Sequence, residues 1–203
     1  MRELLDRNAE FVRAIPRNER RFLRMLASEG QSPDALYIGC SDSRVVPEIL
    51  TRSSPGSLFV IRNVANLVPP LDHADASVGA AIEYAVGHLR VPHVIVCGHY
   101  GCGGVQAAIA GVEHLHGLPS LTEWLGGVSV GPASEGDATA RWRAAVEHNV
   151  ERQLVHLLTY ACVAQAVAAD AIEIHGWVYD LHTLELSAYD PESGTFRPAT
   201  ELL

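Results

Sequence analysis

Three short apolar runs, Ala35-Leu-Tyr-Ile38, Ser57-Leu-Phe-Val-Ile61 and His93-Val-Ile-Val-Cys97, leave this chain few architectures. Each has the length of a strand buried on both faces and is too short for a buried helix. A helical segment, Ala76 to Leu89, separates the second run from the third, and another helix runs from Gly104 to Ala110. Strands alternating with helices imply an α/β fold with a parallel sheet and right-handed crossovers. Gly111 to Asp137 is rich in Gly, Pro and Ser and reads as a surface excursion with one short helix near Leu121 to Leu125. A long helix is expected from Ala138 to Ala169, then two strands, Ala171–Tyr179 and Leu184–Tyr189, close enough in sequence to form an antiparallel hairpin at the sheet edge.

The N-terminal stretch follows a different pattern. Leu4, Leu5, Phe11, Val12 and Ile15 recur at helical spacing until Pro16, and Phe22, Leu23 and Leu26 resume the period until Gly30. Two charged, amphipathic helices are expected there, too polar for a core and suited to lie across a neighbouring subunit. The organisation expected over residues 1–203 is therefore one α/β domain, with a helical arm at 1–30 and the core at 31–203.

Charge and cysteine usage narrow the function. A formal net charge of −9 argues against a nucleic-acid partner held through phosphates. The one basic cluster, Arg17, Arg20, Arg21 and Arg24, reads as a solvated or subunit-contacting helix face. Four cysteines without a Cys-x-x-Cys pair fit a reducing, cytoplasmic setting, not a disulfide framework. The charged N-terminus has no apolar signal region. The uncharged run from Gln153 to Ala169 is shorter than the ~20 residues of a spanning helix, so no membrane association is expected.

The chemistry resides in Cys40-Ser-Asp-Ser-Arg44 and His99-Tyr-Gly-Cys102. Cys40 ends the first predicted strand, and His99 to Cys102 follow the third. The carboxyl ends of parallel strands open on one edge, where open α/β folds bind their ligands, so segments 59 positions apart can converge there. Two thiolates and one imidazole are a full protein ligand set for catalytic zinc, leaving the fourth position open. Asp42 stands beside the first thiol, and Arg44 can hold it ionised in a bidentate pair. Blander readings are a structural zinc closed by Asp42 as fourth ligand, and a plain Asp42–Arg44 salt bridge. Cys97 and Cys162 read as small core residues. The remaining histidines, His114 and His116 among them, read as surface or core residues. The glycines at 98, 101, 103 and 104 do not make a dinucleotide fingerprint.

In these residues the chain resembles the β-class carbonic anhydrases. The likeness runs from Gln31 to about Tyr179 and is densest in Cys40–Arg44, Phe59-Val-Ile-Arg-Asn-Val-Ala-Asn66, Cys97-Gly-His-Tyr-Gly-Cys-Gly-Gly104 and His175-Gly-Trp-Val-Tyr179. The resemblance implies four parallel strands with an antiparallel fifth, and a homodimer or dimer of dimers embraced by the N-terminal helices. It implies one Zn2+ per subunit on Cys40, His99 and Cys102, and zinc-bound hydroxide that hydrates carbon dioxide reversibly to bicarbonate and a proton. The Asp42–Arg44 dyad would orient that hydroxide. The pocket carried over from the family comprises Gln31 from across the interface, Phe59, Val64, Tyr84 and the backbone of Gly103. In a closed family form Asp42 would enter the zinc shell. Bicarbonate favours that closure from a site of Trp, Arg and Tyr; Arg62 and Tyr179 match here, and Tyr37 stands in place of the Trp. The same zinc chemistry would also serve a carbonyl sulfide or carbon disulfide hydrolase. From another class, an inactive zinc-stabilised interaction module would keep the metal without turnover.

Overall fold

A computed structural model of the chain describes residues 1–132 and 135–201. Positions 133 and 134, part of the expected excursion, and positions 202 and 203 lie outside the described residues. The chain divides into two compact units, Met1–Ser32 and Pro33–Leu203. The first contains α1 (Arg2–Ala14) and α2 (Arg17–Glu29), broken at Pro16 as the sequence implies. Neither helix buries a residue. Arg20 reaches back to donate to the Val12 carbonyl and ties the two helices together.

The second unit is built on one six-stranded sheet: β1 (Ala35–Cys40), β2 (Leu58–Asn63), β3 (His93–His99), β4 (Glu173–Tyr179), β5 (Leu186–Asp190) and β6 (Thr195–Pro198), in the order β2-β1-β3-β4-β5-β6. The first four in that order run parallel, and β5 and β6 are antiparallel additions. The expected α/β sheet, with its antiparallel fifth strand, is thus present. β6 is an addition: the turn Pro191–Gly194 returns a Pro-ended stretch of four residues, too short to carry a period of its own.

Side chains alternate across the sheet, as the pleat requires. Leu36, Ile38, Val94, Val96 and Val178 face the larger core, which also holds Val78 and Ile82 of α4 (Ala76–Ile82) and Val105 of α5 (Gly103–Ala110). Val146, Val150 and Leu157 of α7 (Ala138–Leu157) and Val163 of α8 (Ala161–Ala168) complete it. Ala35, Tyr37, Ile95, Cys97 and Tyr179 face the other way into a smaller cluster with Val45. Close approach of α7 depends on two glycines. A Cβ at Gly98 would stand 2.7 Å from Val150, and one at Gly176 would stand 2.9 Å from Leu154.

The sequence implies one helix from 138 to 169, but there are two, separated at Leu158–Tyr160. Hydrogen bonds to a distant loop decide the break. Thr159 Oγ1 accepts from the Leu71 amide at 2.9 Å, and the Tyr160 hydroxyl donates to the Pro69 carbonyl at 2.7 Å. α4 likewise continues as wider π-helical turns over Glu83–Leu89, ended by left-handed Arg90. The excursion carries α6 (Pro119–Leu125). A four-residue helix, α3 (Pro47–Leu50), with proline at its first turn, follows the Cys40–Arg44 loop.

After β2 the backbone makes a tight corner in which consecutive non-glycine residues, Ala65 and Asn66, both take positive φ, 64° and 49°. Both are buried. Asn149 Nδ2 donates to the Ala65 carbonyl at 3.0 Å, and Trp124 Nε1 donates to the Val64 carbonyl at 2.8 Å. Asn63 brackets the corner, donating to Leu67 O and accepting from Leu67 N.

Candidate metal centre

β1 and β3 are hydrogen-bonded neighbours running the same way, so their carboxyl ends deliver Cys40 and His99 to one edge. The turn after β3, with Gly101 at φ 79°, then brings Cys102 back to the same point. Donor atoms of Cys40, His99 and Cys102 all lie within 4.8 Å of one another, and all three residues are buried.

The three donors fit one tetrahedral metal. Two sulfurs each about 2.3 Å from a zinc ion at a tetrahedral angle lie about 3.8 Å apart. Cys40 Sγ and Cys102 Sγ are 3.9 Å apart. His99 Nδ1 lies 3.1 Å from the Tyr100 carbonyl, which can only accept, so the proton belongs on Nδ1 and the Nε2 lone pair is left free. Nε2 is buried and has no hydrogen-bond partner among the described residues. A buried, unpartnered imidazole nitrogen beside two thiols is costly without a ligand and suits a zinc-type ion.

Electrostatics point the same way. The hydrogen bond from Cys102 holds the Cys40 thiol well below its ordinary value, against the effect of burial and with His99 adding to it. The same bond, and burial, raise Cys102. A cation of charge two would relieve both by replacing the proton of that bond. Cys97 and Cys162 behave as core thiols: burial pushes Cys97 up to about 12 and raises Cys162 as well.

Asp42 lies beside this cluster and outside it. Arg44 holds both carboxylate oxygens, Nε to Oδ1 at 2.9 Å and Nη2 to Oδ2 at 2.6 Å, while its own amide donates to Oδ1 at 3.0 Å. These bonds hold the Asp42 carboxyl well below the usual carboxylate range. Oδ2 is 3.8 Å from His99 Nε2.

Of the expected pocket residues, Val64 lines a hollow of about 460 Å³ with Ser41, Asn63, Ser120, Leu121 and Trp124. Phe59 and Tyr84 form an aromatic pair 5.7 Å between centroids, standing apart from that hollow, with Tyr84 exposed. Gly103 opens α5, with no atom within 4 Å of where a Cβ would stand. Gln31 is exposed in the N-terminal unit. A larger hollow, about 1030 Å³ between Pro69, Trp124 and His156, includes none of the three donors.

Two supports escaped the sequence reading. Trp142 Nε1 donates to the Cys102 carbonyl at 3.1 Å from 40 positions away, a link no local pattern announces. Arg62, noted above only for its match to a regulatory position, donates to the carbonyls of Cys40 and Asp42 at 2.9 and 2.6 Å and so pins the loop between them. Tyr37, at the Trp position of that regulatory site, is fully buried, and its hydroxyl has no partner among the described residues.

Comparison with known proteins agrees with this geometry. A family profile described as "Carbonic anhydrase" matches residues 35–186. A carbonic anhydrase of Pseudomonas aeruginosa strain PAO1 is 42% identical over 202 residues, covering 97% of this chain and 90% of its own length. The solved β-carbonic anhydrase CcaA superposes with a TM-score of 0.91 at 33% identity, over 98% of this chain and 91% of its own. One of two tetrameric β-carbonic anhydrases from Sordaria macrospora gives a TM-score of 0.74 at 29% identity, over 92% of this chain and 95% of its own.

Proposed function

The chain belongs to the β-class carbonic anhydrases, and from that premise we propose that it hydrates carbon dioxide reversibly at a zinc ion held by Cys40, His99 and Cys102. The observation that carries this reading is the meeting of two thiols and an unpartnered imidazole nitrogen at the sheet edge, next to an ionised Asp42. Zinc supplies Lewis acidity, which makes hydroxide available near neutral pH.

The chain's own residues supply selection and aim. An ionised carboxylate can only accept hydrogen bonds. Asp42 would therefore accept a hydrogen bond from the attacking oxygen, leaving that oxygen's lone pair for the carbon of the substrate. Arg44 keeps Asp42 charged and fixes its plane by the two-point grip. Arg62 and Trp142 hold the backbone on either side, so the donors need no reorganisation when the reaction begins.

Carbon dioxide is small and apolar and suits Val64, Phe59 and Tyr84, with a Gln31 amide contributed across a subunit interface and the Gly103 backbone N–H to orient an oxygen. β2 is an edge strand, half-buried along its length, and Tyr84, paired with half-buried Phe59, is exposed beside it. That unpaired edge supports a homodimer in which the partner completes the pocket, as a dimer or a dimer of dimers. Among the described residues no helix is long and apolar enough to cross a membrane.

The test is stopped-flow carbon dioxide hydration by the purified protein with measured zinc content, before chelation, after it and after zinc return. Activity lost and regained with one zinc per chain supports the reading. Zinc-loaded protein inert toward carbon dioxide overturns it, and a parallel assay with carbonyl sulfide or carbon disulfide assigns the hydrolase alternative.

A further inference from the structure

At the other end of the same strands lies a second convergence of donors that the reaction does not use. β3 begins with His93 and β4 with Glu173, and the parallel register sets them side by side, with His175 opposite Ile95. Residues 173 and 175 are two apart in a strand, so both project from the face that His93 shares. His93 Nδ1 lies 3.2 Å from His175 Nε2. Glu173 Oε2 is 3.8 Å from the first and 3.7 Å from the second. All three side chains are reachable from solvent, at 44%, 32% and 73% exposure for His93, His175 and Glu173.

We infer that His93, Glu173 and His175 form a second metal site, one that takes a borderline divalent transition metal such as Zn2+, Ni2+ or Cu2+. Two imidazole nitrogens about 2.0–2.1 Å from a tetrahedral zinc stand about 3.3 Å apart. The nitrogens here already hold that separation, and the carboxylate needs only a few tenths of an ångström to join them. Imidazole with one carboxylate suits zinc, nickel and copper and gives calcium or magnesium too few oxygens. Without metal, one imidazole N–H between the two rings accounts for the same short contact, and a tautomer shift that moves this proton to the ring's other nitrogen frees both lone pairs for a metal. His93 and His99 are six residues apart on one strand, about 20 Å. The site is therefore remote from the catalytic donors. Its metal would clip β3 to β4 at their amino ends.

Equilibrium dialysis of the zinc-loaded protein against added Zn2+ tests this, with His93→Gln and His175→Gln beside the wild type. The wild type is expected to take up a second equivalent. Each variant should bind that equivalent more weakly by more than the roughly 10- to 100-fold that loss of a supporting partner costs. Carbon dioxide hydration and the thiolate-to-metal absorption of the cobalt-exchanged protein should be unchanged, because neither histidine belongs to the catalytic centre. A wild type that stops at one equivalent overturns the proposal. So does a second equivalent that survives both substitutions, since its donors then lie elsewhere. If one variant does not fold, the other decides. Loss of the first equivalent and of the thiolate absorption would instead count against the proposed catalytic zinc.

Discussion

Arg44 binds both oxygens of Asp42 from only two residues away, through side chain and backbone together, so that the carboxylate cannot turn without breaking three hydrogen bonds. Its charge and its orientation come from one partner. Asp42→Asn keeps the shape and replaces an acceptor-only group with one that can also donate. The expected outcome is a fall in kcat/KM of about 100-fold or more with zinc content unchanged, read by stopped-flow hydration and elemental analysis. Arg44→Lys keeps the positive charge and loses the fork, and should fall between the two.

Substitution within the donor set should act on the metal before it acts on the fold. Cys102→Ser and His99→Ala are expected to lower zinc below one per chain and to reduce hydration to background, with far-ultraviolet circular dichroism retained. Full zinc occupancy in both would remove these residues from the ligand set.

Trp142 reaches the centre through a hydrogen bond to the Cys102 carbonyl. Trp142→Phe keeps most of the packing and removes the N–H. A positioning role predicts roughly 10- to 100-fold weaker zinc retention in a chelator competition. A packing role alone would lower thermal stability and leave zinc retention unchanged.

Gly98→Ala places a methyl group 2.7 Å from Val150 across the interface of β3 and α7. The expected cost is about 1–3 kcal/mol by urea denaturation. Adding Val150→Ala makes room, so the double variant should lose less than the two single losses combined.

His156 gives the acid limb of stability a source. Burial lowers its pKa in the folded protein, with Arg152 adding to the effect, although its Nδ1 stands 2.8 Å from the Val68 carbonyl. A lowered folded value means that the unfolded chain binds the proton more readily. Above the unfolded value of about 6.5 the group contributes nothing; below it, stability falls with pH until the folded imidazole also titrates. The urea midpoint should therefore drop between pH 7.5 and 5.5, and drop less in His156→Gln.

The parts legible in the sequence are those whose signal is local. Cys40 and His99 could be placed at strand ends because Ala35–Ile38 and His93–Cys97 are apolar runs, and parallel strands share one open edge. The Asp42–Arg44 pair spans two residues. What stayed hidden is held by distant partners. The 138–169 stretch has a helical composition throughout, yet Leu71 and Pro69 capture Thr159 and Tyr160 and divide it. His93 and His175 are 82 positions apart, and only the β3–β4 register makes them neighbours.

The corner at Ala65 and Asn66 carries a consequence for how this protein tolerates change. Left-handed backbone at a residue bearing a Cβ costs roughly 1 kcal/mol or more. Local preference would unwind this corner; Asn63 brackets it from next door, and side chains from remote helices, Asn149 and Trp124, grip its carbonyls. Val64, on the near side of the bend, therefore behaves as a sprung jaw whose latch sits some 60 to 85 residues further along the chain. Damage to the latch would be felt at Val64 and, through the Ala65 amide that bonds the Cys40 sulfur, in the donor cluster beneath it.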